Sequence, residues 1–181
     1  MKTVVVYRSK SGSVKKYAAW IAEELQADIF DAAQVTVTVE SLQPYDTVIY
    51  GGGLYAVGIN GVKFITENLD RLTGKKTVVF ATGASPARED AINEVRDNNF
   101  TSEQQKQIRF FYLRGGFDYS KLKPLDKVLM TLLKWKIRWK IKTKKELVPD
   151  EKGMLAAYAK PADFTRKKNI DELIAYVTSE K

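Results

Sequence analysis

Short apolar runs rich in β-branched residues alternate with amphipathic segments along most of the chain. Residues 3–7, 47–50 and 77–82 show no polar alternation, which predicts strands that are buried on both faces. Residues 14–25 repeat apolar side chains at spacings of three and four, which predicts a helix directly after the first strand. Strands that alternate with helices in this way indicate a parallel sheet covered by helices on both faces.

Shorter or less regular segments complete the pattern. Residues 28–31 and 108–114 are predicted strands, and residues 62–72 are a predicted helix. The segment 32–45 stays open, because its stretch 35–39 alternates like a strand but lacks apolar partners on the other face. The sequence shows no internal repeat and no low-complexity linker.

The C-terminal segment predicts a last helix, because apolar side chains recur at helical spacing from Ile170 to Val177. Asn169 followed by Glu172 fits a capping box at its start. We therefore expect a single α/β domain over residues 1–181, doubly wound around a five-stranded parallel sheet. Ligands of such sheets bind beyond the carboxyl ends of the strands, where the strand order reverses.

The 181 residues include no cysteine and no histidine. Disulfides, thiolate catalysis and zinc–thiolate sites are therefore excluded, and the commonest general base and metal ligand is missing. We identify no catalytic acid–base residue and no metal site, so chemistry near neutral pH calls for a bound cofactor. The chain shows no signal-peptide pattern and no apolar stretch of about eighteen residues, and we expect a cytoplasmic protein.

The net charge of +8 is concentrated in one segment. Residues 121–145 contain ten Lys or Arg residues and a single acid, Asp126, which gives this segment a net charge of +9 and leaves −1 for the remainder. A near-neutral domain with one basic appendage differs from a protein that is basic over its whole surface. Nucleic acid is therefore a disfavoured partner.

The loop between the first strand and the first helix combines features that suit a phosphate group. Free backbone N–H groups, serine hydroxyls and the positive end of the helix dipole meet there. Gly12 permits close approach of the backbone, and Lys10 adds a positive charge. The alternative is that Ser11 or Ser13 serves only as the helix N-cap.

Three loops together resemble those of the flavodoxin family. Residues 7–14 resemble its phosphate loop, [ST]-x-[ST]-G-x-[ST], while residues 52–56 and 82–85 resemble the two loops that flank the flavin ring. The resemblance covers the whole domain in order and implies a sheet order of 2-1-3-4-5, FMN as the cofactor and electron transfer as the function. The cofactor-binding residues that it implies are Ser9, Lys10, Ser11, Gly12, Ser13, Val14, Gly52, Gly53, Leu54, Tyr55, Ala56, Thr82, Gly83, Ala84 and Ser85.

The chain departs from the family pattern at two places. Val14 stands where the phosphate loop has its last Ser or Thr, so one expected hydroxyl is missing. The second ring loop lacks an aromatic residue, which leaves Tyr55 as the expected neighbour of the ring. A flavin-free binding module that kept the fold is therefore an alternative.

Within the family, the chain most resembles the subgroup that includes menaquinone-dependent protoporphyrinogen oxidase. Its members share this chain length and a basic helical insertion after strand five, which here spans residues 119–145. This resemblance implies a second hypothesis, a quinone-linked oxidoreductase at the membrane surface. The expected partner is then a quinone or a redox protein.

The insertion reads as an amphipathic helix with cations between two apolar stripes, although beyond Leu133 its strict alternation also permits a strand. Tryptophans beside lysines on such a helix indicate peripheral contact with an anionic membrane, here the inner face of the cell membrane. The alternative is a helix that packs on its own domain with solvated lysines. One stripe comprises Leu125, Val128, Leu129, Leu132, Trp135 and Trp139.

Overall fold

The computed structural model describes residues 1–55, 57–117, 127–128, 131–132, 134–135, 138–139, 143 and 161–179. Single 3-10 turns cover Glu40–Leu42, Leu69–Leu72 and Lys167–Ile170. The strands and helices, in chain order, are β1 (Thr3–Arg8), α1 (Ser13–Leu25), β2 (Asp28–Asp31), β3 (Thr47–Tyr55), β4 (Gly58–Ile59), α2 (Lys63–Thr66), β5 (Lys76–Gly83), α3 (Glu89–Asn99), α4 (Ser102–Gln107), β6 (Ile108–Arg114), β7 (Gly116–Phe117), β8 (Ala162–Asp163) and α5 (Asp171–Thr178).

The main sheet has the order β2-β1-β3-β5-β6, and these five strands are parallel. The predicted α/β doubly wound fold class is confirmed. Counted among these five strands alone, the neighbours follow the expected 2-1-3-4-5. The sheet nevertheless has six strands, because the short β4 pairs antiparallel with the end of β3.

Side chains alternate between two cores, one on each face of the sheet. Val4, Val6 and Tyr50 belong to one core, and Val5 and Phe80 belong to the other. All five are at most 1% exposed. Burying a side chain of this size stabilises the fold by about 1.5–3 kcal/mol, so the central strands supply much of the hydrophobic free energy.

Strand β3 continues through its three glycines to Tyr55, whereas the sequence predicted a strand only over residues 47–50. A Cβ atom at Gly51 would collide with the ring of Phe80 on the neighbouring strand, so only glycine fits beside that ring. The predicted flavin-flanking residues Gly52 and Tyr55 are therefore strand residues, and the turn itself lies between β3 and β4.

The predicted capping box at Asn169 is wrong. Helix α5 begins at Asp171, and no side chain caps it. The amide of Asn169 donates to the hydroxyl of Tyr17 over 2.6 Å instead. A capping box is present at Thr101 and Gln104, where each side chain binds the backbone of the other at the start of α4.

Two other segments differ from their predicted form. Residues 62–72 form the single turn α2 and a 3-10 turn rather than one continuous helix. The open segment 32–45 contains no strand, and its regular part is the 3-10 turn Glu40–Leu42.

The insertion at 119–145 lies largely outside the described residues. Its described part is helical at residues 127–128, 131–132, 134–135 and 138–139, and the strand alternative does not apply to these residues. The pairing of β7 with β8 brings residue 117 beside residue 162, so the two ends of the intervening segment are neighbours. Among the helices of the described ranges, none has the length and apolar character needed to cross a bilayer.

Candidate functional site

The carboxyl ends of four strands meet at one edge of the sheet. Arg8 of β1 is in register with Gly52 of β3, and Gly53 with Thr82 of β5. Gly83 is in register with Arg114 of β6. The loops that follow these strands are therefore neighbours, as the sequence predicts for a ligand site in a doubly wound sheet.

The loop before α1 leaves the start of the helix open. Gly12 is the N-cap residue with φ 95°, and α1 has no side-chain cap. The hydroxyl of Ser9 accepts the Gly12 N–H over 3.2 Å, which orders the loop. The alternative in which Ser11 or Ser13 caps the helix is thus wrong, and the first amides of α1 remain available to an anion.

Gly12 provides the space that a phosphate needs. A Cβ atom at this position would meet no atom within 4 Å, and its positive φ is one that only glycine adopts without strain. The backbone is thus exposed at the positive end of a thirteen-residue helix.

Ser13 and Val14 point away from open solvent. Ser13 is buried, and its hydroxyl accepts the backbone N–H of Gly116 over 2.9 Å, which leaves its own hydrogen free to be donated. Val14 is fully buried in the core, so its contribution to an anion is limited to its backbone N–H.

The β3–β4 hairpin forms a second wall. A Cβ atom at Gly53 would lie 3.7 Å from Val14 and 3.9 Å from the hydroxyl of Thr82, so three of the predicted segments converge at this point. Tyr55, near the hairpin tip, is 37% exposed. The ammonium group of Lys10 lies 3.9 Å from the centre of its ring and joins the first loop to the hairpin. Ala56 lies outside the described residues.

The loop after β5 forms the third wall, and β6 holds it in place. The hydroxyl of Tyr112 donates to the carbonyl of Ser85 over 3.0 Å, and Nε of Arg114 donates to the carbonyl of Ala84 over 3.4 Å. Thr82 is buried. Gly83 packs against Leu54, because a Cβ atom on Gly83 would lie only 2.9 Å from the Leu54 side chain.

The end of β6 is a part of the site that the sequence analysis missed. A Cβ atom at Gly115 would lie 3.2 Å from the hydroxyl of Ser13 and 3.3 Å from Cβ of Thr82. Phe164 stacks on Arg114, with the guanidinium 3.7 Å from the ring centre. The paired glycines after the fifth strand were the available signal, because they permit this close approach.

Tyr50 forms a hydrogen bond that holds the end of the β3–β4 hairpin in place. Burial raises the pKa of Tyr50 to about 12, although the nearby positive charge of Arg8 acts in the opposite direction. The hydroxyl therefore stays protonated at neutral pH and donates to the carbonyl of Asn60 over 2.8 Å. This bond fixes the residue that follows β4.

These walls suit a molecule with one phosphate group and a flat, largely apolar ring. An uncapped helix start, an open glycine and Lys10 match the phosphate. The exposed side chain of Tyr55 and the loop from Thr82 to Ser85 are suited to contact the flat ring of such a molecule. A flavin mononucleotide combines both parts, so the residues present fit a flavin.

The chain matches one family of known proteins over most of its length. The family model described as the flavodoxin domain matches residues 4–144. No curated protein matches the chain.

Solved structures of similar fold include a putative flavoprotein from Bacteroides eggerthii. It is 15% identical, with 61% of this chain and 85% of that chain covered and a TM-score of 0.44. Flavodoxin 1 from Bacillus cereus is 22% identical, with 63% and 86% covered and a TM-score of 0.41. The reduced flavodoxin from Megasphaera elsdenii is 17% identical, with 61% and 84% covered and a TM-score of 0.45.

The family match spans well over half of the 181 residues, including the first loop, the hairpin and the loop after β5. With strand order and loop positions as described, the chain belongs to the flavodoxin-domain family.

Proposed function

We propose that the protein binds FMN at this edge of the sheet and acts in electron transfer. The carrying observation is the uncapped start of α1 beside Gly12, where a Cβ atom would meet nothing within 4 Å. A phosphate in that position accepts backbone N–H groups and lies at the positive end of the helix dipole. The hydroxyls of Ser11 and Ser13 are its proposed side-chain partners, and Lys10, which contacts the ring of Tyr55, adds positive charge between the phosphate loop and the hairpin.

The ring is proposed to lie between the β3–β4 hairpin and the loop after β5. The hairpin contributes Gly52, Gly53, Leu54, Tyr55 and Ala56, and the loop contributes Thr82, Gly83, Ala84 and Ser85. When bound, the flavin supplies the redox chemistry, while this chain binds it, orients it and sets the charge around it. In the sequence, these nine positions contain one aromatic residue, Tyr55, and no carboxylate. The side chain of Tyr55 is partly exposed to solvent.

The test is the visible absorption spectrum of the purified protein and of the apoprotein mixed with FMN. Binding is expected to give the paired flavin absorption bands and to quench flavin fluorescence. An apoprotein that leaves tens of micromolar FMN unbound and fluorescent would contradict the proposal. It would favour the flavin-free module instead.

The proposed unit is one domain over residues 1–181, with residues 119–145 as an insertion. Limited proteolysis of the FMN complex tests this arrangement. After a single cut within residues 119–145, the two parts are expected to remain associated through β7–β8 and the packing of α5 on α1. Dissociation of the parts after a single cut would contradict it.

A second candidate function is a quinone-linked oxidoreductase of the protoporphyrinogen oxidase type, peripheral to the inner face of the cell membrane. Four apolar side chains of the insertion favour it: Val128, Leu132, Trp135 and Trp139 are each between 55% and 65% exposed. Their spacing of four, three and four residues sets them on one helical face. Lys134 and Arg138 are helical residues of the same segment.

Such a face suits a membrane surface that carries anionic lipids. Tryptophans insert at the level of the headgroups, and each Lys or Arg near an anionic bilayer contributes about 1 kcal/mol. The insertion follows β7, whose Gly116 binds Ser13 of the proposed phosphate loop. Membrane contact through the insertion would therefore hold the flavin site close to the bilayer, where quinones dissolve.

Cosedimentation with phosphatidylglycerol-rich and with phosphatidylcholine vesicles tests the second candidate. We expect binding to the anionic vesicles that high salt reverses, and weaker binding after Trp135→Ser and Trp139→Ser are combined. Ile29→Ser with Val35→Ser is the matched control, because both residues are exposed apolar side chains outside the insertion. Equal indifference to both vesicle types would contradict membrane contact and leave the soluble electron carrier.

A further inference from the structure

The described loops at the carboxyl edge of the sheet carry more positive than negative charge. Four segments meet there, residues 8–16, 51–62, 82–88 and 114–117, and none of them contains Asp or Glu. Their charged residues are Arg8, Lys10, Lys15, Lys16, Arg88 and Arg114. Together with the start of α1, which bears the positive end of a helix dipole, they give the site a positive potential.

Neighbouring carboxylates neutralise two of these six cations. Lys16 lies 3.1 Å from Asp163, and Arg88 lies 3.3 Å from Asp90. Within the described ranges, Arg8, Lys10, Lys15 and Arg114 form no ion pair with a carboxylate. The site therefore retains uncompensated positive charge.

Among the described residues, two further carboxylates near this edge are engaged elsewhere or lie outside the loops. Asp31, at the end of β2, accepts the N–H of Ala33 and the amide of Gln34. Glu89 is exposed at the start of α3, beyond the loop that follows β5. Neither carboxylate contacts the hairpin or the loop that are proposed to hold the ring.

Two of the uncompensated cations lie directly on the proposed ring walls. Lys10 lies 3.9 Å from the centre of the Tyr55 ring, on the hairpin side. Arg114 donates to the carbonyl of Ala84, on the side of the loop after β5. Each wall thus has one cation fixed to it by a described contact.

The redox state of a flavin changes its charge. Reduction takes up two electrons and one proton near neutral pH, and the product carries one negative charge on the ring that the oxidised ring lacks. A positive site stabilises the charged form selectively, for the same reason that a neighbouring cation lowers the pKa of an acid. Charge close to the ring is a recognised means by which a protein sets flavin potential.

We propose that Lys10 and Arg114 make this protein bind reduced, anionic FMN more tightly than oxidised FMN. This inference rests on the proposed function, since it concerns the same site. The phosphate group is common to both redox states, so its contacts cancel in the ratio of the two dissociation constants. The ratio reports interactions that differ between the oxidised and the reduced ring, and nearby positive charge is one of them.

The ratio of dissociation constants is equivalent to a shift in potential, because binding and reduction form one thermodynamic cycle. We expect reduced FMN to bind at least tenfold more tightly than oxidised FMN. For a two-electron couple, a tenfold ratio corresponds to a midpoint potential about 30 mV above that of free FMN. The difference is expected to shrink in high salt, because the cations are partly exposed.

The experiment is a potentiometric titration of the FMN complex with dithionite and reference dyes, at low and at high salt. Oxidised FMN affinity is measured first by fluorescence quenching, so that binding itself is established separately. The test variant combines Lys10→Gln with Arg114→Gln. The matched control combines Lys2→Gln with Lys106→Gln. Both lysines are exposed; Lys2 precedes β1 and Lys106 lies on α4.

We expect the midpoint potential of the FMN complex to lie above that of free FMN. In the test variant, the ratio of the oxidised to the reduced dissociation constant is expected to fall at least tenfold. The control is expected to keep the wild-type ratio. A complex that binds oxidised FMN but titrates below free FMN would overturn this inference and leave the proposed function intact. An equal loss of affinity for both redox states in the test variant would also overturn it, since the cations would then act on the phosphate alone. Failure of the wild-type protein to bind oxidised FMN would overturn both proposals.

Discussion

The backbone N–H of Gly116 donates a hydrogen bond of 2.9 Å to the hydroxyl of Ser13. It joins the start of β7 to the start of α1, across 103 residues of sequence. One serine of the proposed phosphate loop therefore has a structural partner within the protein. Ser11, by contrast, is an exposed residue of the loop before the helix.

This difference predicts distinct effects for two similar substitutions. Ser13→Ala is expected to lower the free energy of unfolding by about 1–3 kcal/mol, because it leaves the N–H of Gly116 without its acceptor. Ser11→Ala is expected to leave stability unchanged and to weaken FMN binding by about 1–3 kcal/mol, the range for a hydrogen bond to a charged group. Urea denaturation and FMN titration of both variants measure the two quantities. A stability loss confined to Ser11→Ala would contradict the assignment.

Gly12→Val is expected to abolish FMN binding, because the side chain would occupy the open space at the start of α1. The positive φ also costs about 1–2 kcal/mol of stability. Gly74→Val is the matched control, since Gly74 has φ 83° and a Cβ atom there would likewise meet nothing within 4 Å. The control is expected to lose similar stability, measured by thermal unfolding, and to retain FMN affinity. Retained binding in Gly12→Val would count against a phosphate at this position.

Lys76 stabilises the last helix. Its ammonium group donates to the carbonyls of Tyr176, Val177 and Ser179 at 3.2, 3.1 and 2.8 Å, at the negative end of the α5 dipole. Lys76→Met is expected to cost about 1–3 kcal/mol of unfolding free energy and to leave FMN affinity unchanged, because Lys76 begins β5 at the edge opposite the site. Lys106→Met, an exposed lysine, is the control in the same denaturation experiment. Equal stability of the two variants would refute this role.

Tyr50 predicts a loss of stability at alkaline pH. Burial raises its pKa in the folded protein to about 12, above the usual tyrosine value of about 10. The folded state therefore holds the proton over a range in which the unfolded state releases it, and stability falls as pH rises from about 10 to about 12. One pKa unit corresponds to about 1.4 kcal/mol, so the loss over this range is expected to be about 2–3 kcal/mol.

The comparison variant for this pH experiment is Tyr50→Phe, which cannot titrate at this position. Lysines also titrate in this range, and their contribution is common to both proteins. Unfolding free energies at pH 9 and at pH 11.5 are expected to fall further in the wild type than in the variant. Parallel decreases would show that Tyr50 is not the group responsible.

The strands with strong local signals were predictable. The apolar runs at 3–7 and 77–82 lie within β1 and β5, and β6 covers the predicted residues 108–114. The strands β1 and β5 are buried almost throughout, so their sequence alone shows their environment. The first loop and the loop after β5 followed from strand order in the same way.

Elements that depend on distant partners were not predictable. Asn169 fits a local capping box, but its amide binds Tyr17, which is 152 residues away. The strand β4 has only two residues and forms because the hairpin returns along β3. The extension of β3 through Gly51 depends on the ring of Phe80 in the neighbouring strand. In each case, a tertiary contact outweighs the local pattern.

The most direct test of the account compares the affinities of the apoprotein for FMN and for riboflavin, which lacks the phosphate. Fluorescence quenching in the same buffer gives both dissociation constants. If the loop at residues 9–14 holds the phosphate, FMN is expected to bind at least a hundredfold more tightly, which is equivalent to about 2.7 kcal/mol and is consistent with one or two charge-assisted hydrogen bonds. Equal affinity for the two compounds, or no binding of either, would contradict the central claim.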